Sequence, residues 1–178
     1  MRGVATDVTT DTAGTVVLDR PDVVAEVRAV FDRYERALAD ADLATLTQLI
    51  WDDPRTVRFG VTDRQRGASE IAGWRARHGA VPPGRRLYET TVLAVDDRTA
   101  VVSTLFDYPG GVGSRPVEAG PGAAGPGAAD PGAAGAAIPG AAIPGAAGRV
   151  EGRQTQTWVR FADGWRIVAA HVSEVPTG

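Results

Sequence analysis

Arg58 stands inside an alternating stretch that puts Val57, Phe59 and Val61 on one face and Thr56, Arg58 and Gly60 on the other. Its guanidinium therefore belongs to the polar side of a strand. There a planar fork of donors can hold a carboxylate through two parallel bonds, or form a structural ion pair with a buried Asp or Glu. Tyr34 falls on the apolar stripe of a helical pattern that runs Val23, Val27, Val30/Phe31, Tyr34 and Leu38. From that stripe a phenol can donate to a carbonyl oxygen, relay a proton, or only pack. As a base it needs an arginine to stabilise the phenolate, because a free phenol ionises only near about pH 10. Arg58 is the neighbour this reading supplies.

A third group comes from the C-terminal strands, Gly152 to Arg160 and Trp165 to Ser173, joined across Asp163-Gly164. Asp-Gly between alternating Val/Thr/Trp-rich runs signals a hairpin. A loop of two or four residues pairs Trp158 with Ala169, Gln156 with His171 and Gln154 with Ser173 on one face. Val159, Thr157 and Thr155 meet Val168, Ala170 and Val172 on the other. One face is then bland, and the other lines a polar wall beside an indole. His171 is the single side chain of that wall that titrates near neutrality; it could act as a base, bind a ligand, or be held by Gln156. Ser173 has no His-Asp arrangement around it and reads as a binding group rather than a nucleophile. Asp107 reads as an exposed strand end.

Composition closes several alternatives. With no cysteine and two histidines, thiolate chemistry and a thiolate or His-rich metal site are excluded, and no metal or cofactor is expected. Every basic residue apart from the histidines is arginine, so no lysine base or Schiff base exists. A net charge of −3 without a basic block argues against nucleic acid. No apolar run suits a membrane span and no signal-peptide core precedes the first helix, which suggests a cytoplasmic protein.

The elements that must position these groups follow from periodicity. Residues 1–18 read as a disordered leader. Pro21 and Asp22 open a long helix. Asp40-Ala41-Asp42 separates it from a short helix with Leu43, Leu46, Leu49 and Ile50, and the Thr56–Val61 strand follows. A third helix, from about Ala68 to His78 and capped near Ser69, carries Ile71, Trp74 and Arg75. Two strands come next, about 86–95 and 99–108. Residues 110–149 form a Pro/Gly/Ala-rich insertion. Its stretch 119–148 holds only Ala, Gly, Pro, one Asp and two Ile, with five copies of Pro-Gly-Ala-Ala. It has nothing with which to bury a face, and Gly does not recur every third residue as collagen requires. It belongs at a hairpin tip, where loop length costs little. The rest, 19–176, is one α+β domain with helices leading a mostly antiparallel, curved sheet.

Four ordered blocks carry a resemblance: Phe31–Glu35, Trp51–Gly60, Gly152–Trp158 and Ala170–Ser173. Together they resemble the AtzH-like family, associated with oxalurate catabolism (HpxZ) and s-triazine breakdown. The resemblance runs from about Pro21 to Val175 and skips the insertion. It implies the nuclear transport factor 2-like cone, with three helices on the concave face of the sheet, and a homodimer. The family includes amidohydrolases that act with decarboxylation on carboxylated ureas, such as 1,3-dicarboxyurea going to allophanate. It implies Tyr34 and Arg58 as catalytic. A dicarboxylated urea asks for a second arginine, for which Arg75, Arg77 and Arg153 are candidates, with Arg75 foremost. Gln154, Gln156, Trp158, His171 and Ser173 would complete the substrate wall, the amides because they both donate and accept. A non-catalytic binding or accessory protein of an amidase pathway is the alternative. An isomerase or dehydratase would need a pocket Asp or Glu as base.

Overall fold

The computed structural model describes residues 10–11, 14–15, 17–108 and 149–177. Most of the expected leader and nearly all of the insertion lie outside the described residues. Within the leader, β1 (Thr10–Asp11) pairs with β2 (Gly14–Thr15). Helix α1 (Pro21–Asp40) buries Val23, Val27, Phe31, Tyr34, Ala37 and Leu38, the stripe read from the sequence. Ala41 ends it in the left-handed conformation (φ 53°), and the Asp42 carboxylate caps α2 (Leu43–Gln48) by accepting from the Thr45 N–H at 3.0 Å.

The remaining elements are β3 (Val57–Phe59), β4 (Arg64–Arg66), α3 (Gly67–His78), β5 (Arg86–Ala94), β6 (Thr99–Asp107), β7 (Arg149–Phe161) and β8 (Gly164–Thr177). They form a six-stranded sheet in the order β4-β3-β8-β7-β6-β5, antiparallel except for β3 beside β8. The helices cover one face, and the core lies between α1, Ile71 of α3 and the strands around Val102, Trp158 and Ile167. This is the α+β cone architecture. The cap of α3 differs from expectation. Ser69 is exposed, and Glu70 instead reaches back from the first turn to accept from the Arg66 N–H at 2.5 Å.

The C-terminal hairpin departs from the expected register twice. Its turn lies one residue earlier, over Ala162-Asp163, so that Phe161 faces Gly164. Neither turn residue has positive φ, and Gly164 takes φ 116°; the positive φ sits just after the turn rather than inside it. Moving the turn shifts every pair by two and leaves the faces unchanged. The second departure does not. β8 bulges between its partners for Thr157 and Trp158: Thr157 meets Ala169, Trp158 meets Ile167, and Val168 is extra. Beyond that point every residue of β8 changes face. Gln156 therefore faces Ala170 and Gln154 faces Val172, while His171 opposes Thr155 and Ser173 opposes Arg153.

β6 and β7 are consecutive antiparallel partners, with Phe106 opposite Gly152. A Cβ on Gly152 would lie 2.1 Å from the Phe106 ring, so the ring occupies the space a side chain would need. Gly152→Ala should therefore displace Phe106 and destabilise the protein by about 1–3 kcal/mol, the range of core overpacking, measured by urea denaturation.

Candidate active site

One transverse row of the concave face carries the polar centre: Gln65, Arg58, Ala170, Gln156 and Val102, each opposite the next across β4, β3, β8, β7 and β6. Ala170 is the small member beside Arg58. The adjoining convex row, Arg64, Phe59, His171, Thr155 and Ser103, is exposed throughout.

Of the two roles that its position allowed, Arg58 shows the ion pair. Its Nη1 donates to Asp63 Oδ1 at 2.6 Å and to Gln65 Oε1 at 2.7 Å, and Gln65 Nε2 donates to the same Asp63 oxygen at 2.9 Å. The guanidinium carbon lies 4.0 Å from the centre of the Trp74 ring, a cation–π contact from α3. Asp63 reaches Arg58 because the β3–β4 turn is tight: the Gly60 N–H donates to the Asp63 carbonyl at 2.8 Å, and the carboxylate folds over Gly60, where a Cβ would approach within 2.5 Å. Burial, and then the charge of Arg75, push the Arg58 guanidinium below its ordinary pKa; Asp63 opposes both.

The arginine bonded to Tyr34 is Arg75, not Arg58. Arg75 is 6% exposed, and its Nη2 donates to Tyr34 Oη at 2.6 Å. The phenol oxygen accepts that bond, so its own hydrogen can be given to something else. Arg75 makes no ion pair with a carboxylate among the described residues, and its buried Nε has no hydrogen-bond partner there. A buried guanidinium left so incompletely satisfied costs stability unless a ligand completes it. Tyr34 is fixed on its other side by the edge of Trp158, with ring centres 6.3 Å apart. Trp158 is fully buried and donates through Nε1 to Gln156 Oε1 at 3.2 Å.

A second polar group lies beside the first. Arg85, just before β5, pairs with Glu35 of α1. Its Nη2 also donates to Gln154 Oε1 at 3.0 Å, and Gln154 Nε2 donates to Glu35 Oε1 at 2.7 Å, closing a three-membered ring of contacts. The Arg85 guanidinium also lies 4.1 Å from the centre of the Phe106 ring. Burial raises the Glu35 pKa above the ordinary carboxylate value, against the charges of Arg85 and Arg75 and the bond from Gln154. Both polar ends of Gln154 are thus engaged within the protein.

Of the residues singled out in the sequence, Tyr34, Arg58, Arg75, Gln154, Gln156 and Trp158 come together on the concave side. His171 and Ser173 do not. The β8 bulge carries both to the convex face, where His171 is exposed and meets Phe59 edge to face at 6.1 Å. Arg77 and Arg153 are exposed, Arg153 paired with Glu151 at 3.0 Å, and Asp107 pairs with Arg86 at 2.7 Å. The sequence reading missed Asp63, Gln65, Trp74 as a stacking surface, Arg85 and Glu35. Glu35 left a signal: it stands four residues after Phe31 and three before Leu38, a charge on the inward stripe of α1. Among the described residues no three His, Asp or Glu side chains gather into a cluster that could hold a metal, and no helix is long and apolar enough to cross a membrane.

The AtzH-like family model matches residues 16–113 and 144–178. The chain belongs to the AtzH-like family. The match passes over residues 114–143, which lie inside the Pro/Gly/Ala-rich insertion at 110–149. Two solved structures share about a third of their sequence with this chain. A cystatin-like fold protein from Burkholderia xenovorans is 34% identical, covering 92% of this chain and 99% of its own, with TM-score 0.68. A protein of unknown function from Pectobacterium atrosepticum is 32% identical over 89% and 94%, with TM-score 0.65. A nuclear transport factor 2-like protein from Pseudomonas putida, at 18% identity, 86% and 87% coverage and TM-score 0.59, supports the fold alone. No curated protein matches the chain. The AtzH-like fold is thus the nuclear transport factor 2-like cone expected from the sequence.

Proposed function

We propose that this AtzH-like protein is a metal-independent hydrolase/decarboxylase acting on a carboxylated urea or a related amide. One observation carries the reading. Arg75, buried and without a carboxylate partner among the described residues, holds the phenol oxygen of Tyr34 and keeps a bare Nε for a ligand. A carboxylate at that guanidinium would neutralise its charge and lie beside the Tyr34 hydroxyl. Arg58, braced by Asp63 and Trp74, adds a second positive wall.

The chemistry then needs little else. In an N-carboxylated urea, loss of carbon dioxide breaks the bond between nitrogen and the carboxyl carbon, and the electron pair stays on nitrogen. Tyr34 gives its proton to that nitrogen, Arg75 stabilises the phenolate left behind, and water returns the proton. For 1,3-dicarboxyurea the products are allophanate and carbon dioxide. An isomerase or dehydratase would need a free carboxylate base; the buried candidate, Glu35, is tied to Arg85 and Gln154. The test is turnover: purified protein incubated with 1,3-dicarboxyurea should release carbon dioxide and allophanate, followed by mass spectrometry. Tight binding without any release would leave a receptor, the accessory-protein alternative.

A further inference from the structure

Three buried arginines approach this site, and they differ in what holds them. Arg58 is paired with Asp63 and Arg85 with Glu35, while Arg75 makes no ion pair with a carboxylate among the described residues. One ligand carboxylate is therefore met by Arg75 without disturbing anything. A second carboxylate needs another positive charge to be released.

We infer that Glu35 is a proton-linked charge gate: ionised, it keeps Arg85 to itself and the site takes one carboxylate; protonated, it yields Arg85 to the second carboxylate of a dianion. The inference rests on the carboxylate-binding reading of Arg75 above. Geometry favours Glu35 over Asp63 as the group that gives way. The Glu35 side chain is 12% exposed against 28% for Asp63, so its ionised form is the more costly to keep inside. When neutral, Glu35 can still accept the Gln154 amide, and that bond keeps the carboxyl in place. Arg85 and Glu35 also line a pocket of about 240 Å³ with Arg36, Ala39, Val81 and Leu87, which opens the freed guanidinium to solvent, and Arg75 lies near enough for its charge to act on Glu35 from the other side. The charged and titratable groups around Glu35 are Arg85 before β5, Arg75 on α3 and Arg36 on its own helix. Tyr108 beyond β6 and Glu174 on β8 lie within electrostatic reach of the ring. The cations favour ionised Glu35; burial opposes it.

The proton balance sets the sign. Above its pKa Glu35 must take up one proton for each dianion bound, so dianion affinity should fall about tenfold per pH unit as pH rises. A monoanion should bind without this dependence. Malonate and acetate are the probes, titrated calorimetrically into the whole protein from about pH 7 to 8.5 in two buffers of different ionisation enthalpy. Malonate should take up close to one proton and acetate none. Glu35→Gln, which keeps the shape and removes the charge, should abolish the uptake and flatten the pH dependence, so that its advantage in malonate affinity over the unaltered protein grows about tenfold per pH unit above the Glu35 pKa. Proton uptake by the unaltered protein is an independent reading should the variant fold poorly. If malonate and acetate both bind and neither takes up a proton, the gate is wrong and the Arg75 receptor stands. If neither binds, both ideas fall together.

Discussion

Arg75→Met is expected to remove carboxylate binding while leaving the protein as stable as before, or more so. Methionine replaces the buried stem and omits the guanidinium. Truncating one partner of a buried charged contact costs roughly 2–5 kcal/mol, about thirty- to five-thousandfold in affinity. Stability should move the other way, because among the described residues the ligand-free protein carries a buried guanidinium with a bare Nε and no carboxylate ion pair. Loss of function with gain of stability marks a group kept for its ligand rather than for folding. Calorimetric titration with malonate and a thermal melt of the same sample check both halves. A variant that melts far below the original would show that Arg75 is chiefly a brace for Tyr34. Arg58→Met is the less clear experiment, since it strands the Asp63 carboxylate and the Gln65 amide that now hold Arg58. It should lower stability as well as binding.

Tyr34→Phe should retain ligand affinity and lose most turnover. Phenylalanine keeps the ring, its edge contact with Trp158 and its burial, and deletes only the hydroxyl bonded to Arg75. A positioned proton transfer contributes about 10²–10⁴-fold in rate, so kcat should drop by that order with KM little changed. Arg75 gains a bare Nη2 in the variant, and a carboxylate can still bind there. If the hydroxyl only holds the ground state, affinity falls and kcat survives; if Tyr34 only packs, neither moves. Steady-state kinetics together with direct titration of both proteins separate the three outcomes.

How the site is assembled explains why these two substitutions can be argued from geometry and only partly from sequence. Tyr34 and Arg58 stand out in the sequence because local periodicity assigns each a face: a phenol on an apolar helical stripe, and a guanidinium on the polar side of a strand. Asp63 as the partner of Arg58 depends on a turn that folds its carboxylate across Gly60, a feature of backbone path that no periodicity encodes.

By itself the sequence determined the three helices and five of the six strands of the sheet, though not β4, together with the place of the insertion between two strands, the family and the faces on which Tyr34 and Arg58 lie. Hydrophobic period and turn residues act over a few positions and are written in the chain. Only the tertiary structure decided which polar groups meet. Arg75 finds Tyr34 across 41 residues, Arg85 finds Glu35 across 50, and Gln154 finds Glu35 across 119. It also decided which side of the sheet His171 and Ser173 occupy. One extra residue at Val168 turned both outward, since strand faces alternate with period two and a single bulge reverses all that follows it. That bulge lies where β8 runs between β3 and β7, and an alternating run carries no mark of it.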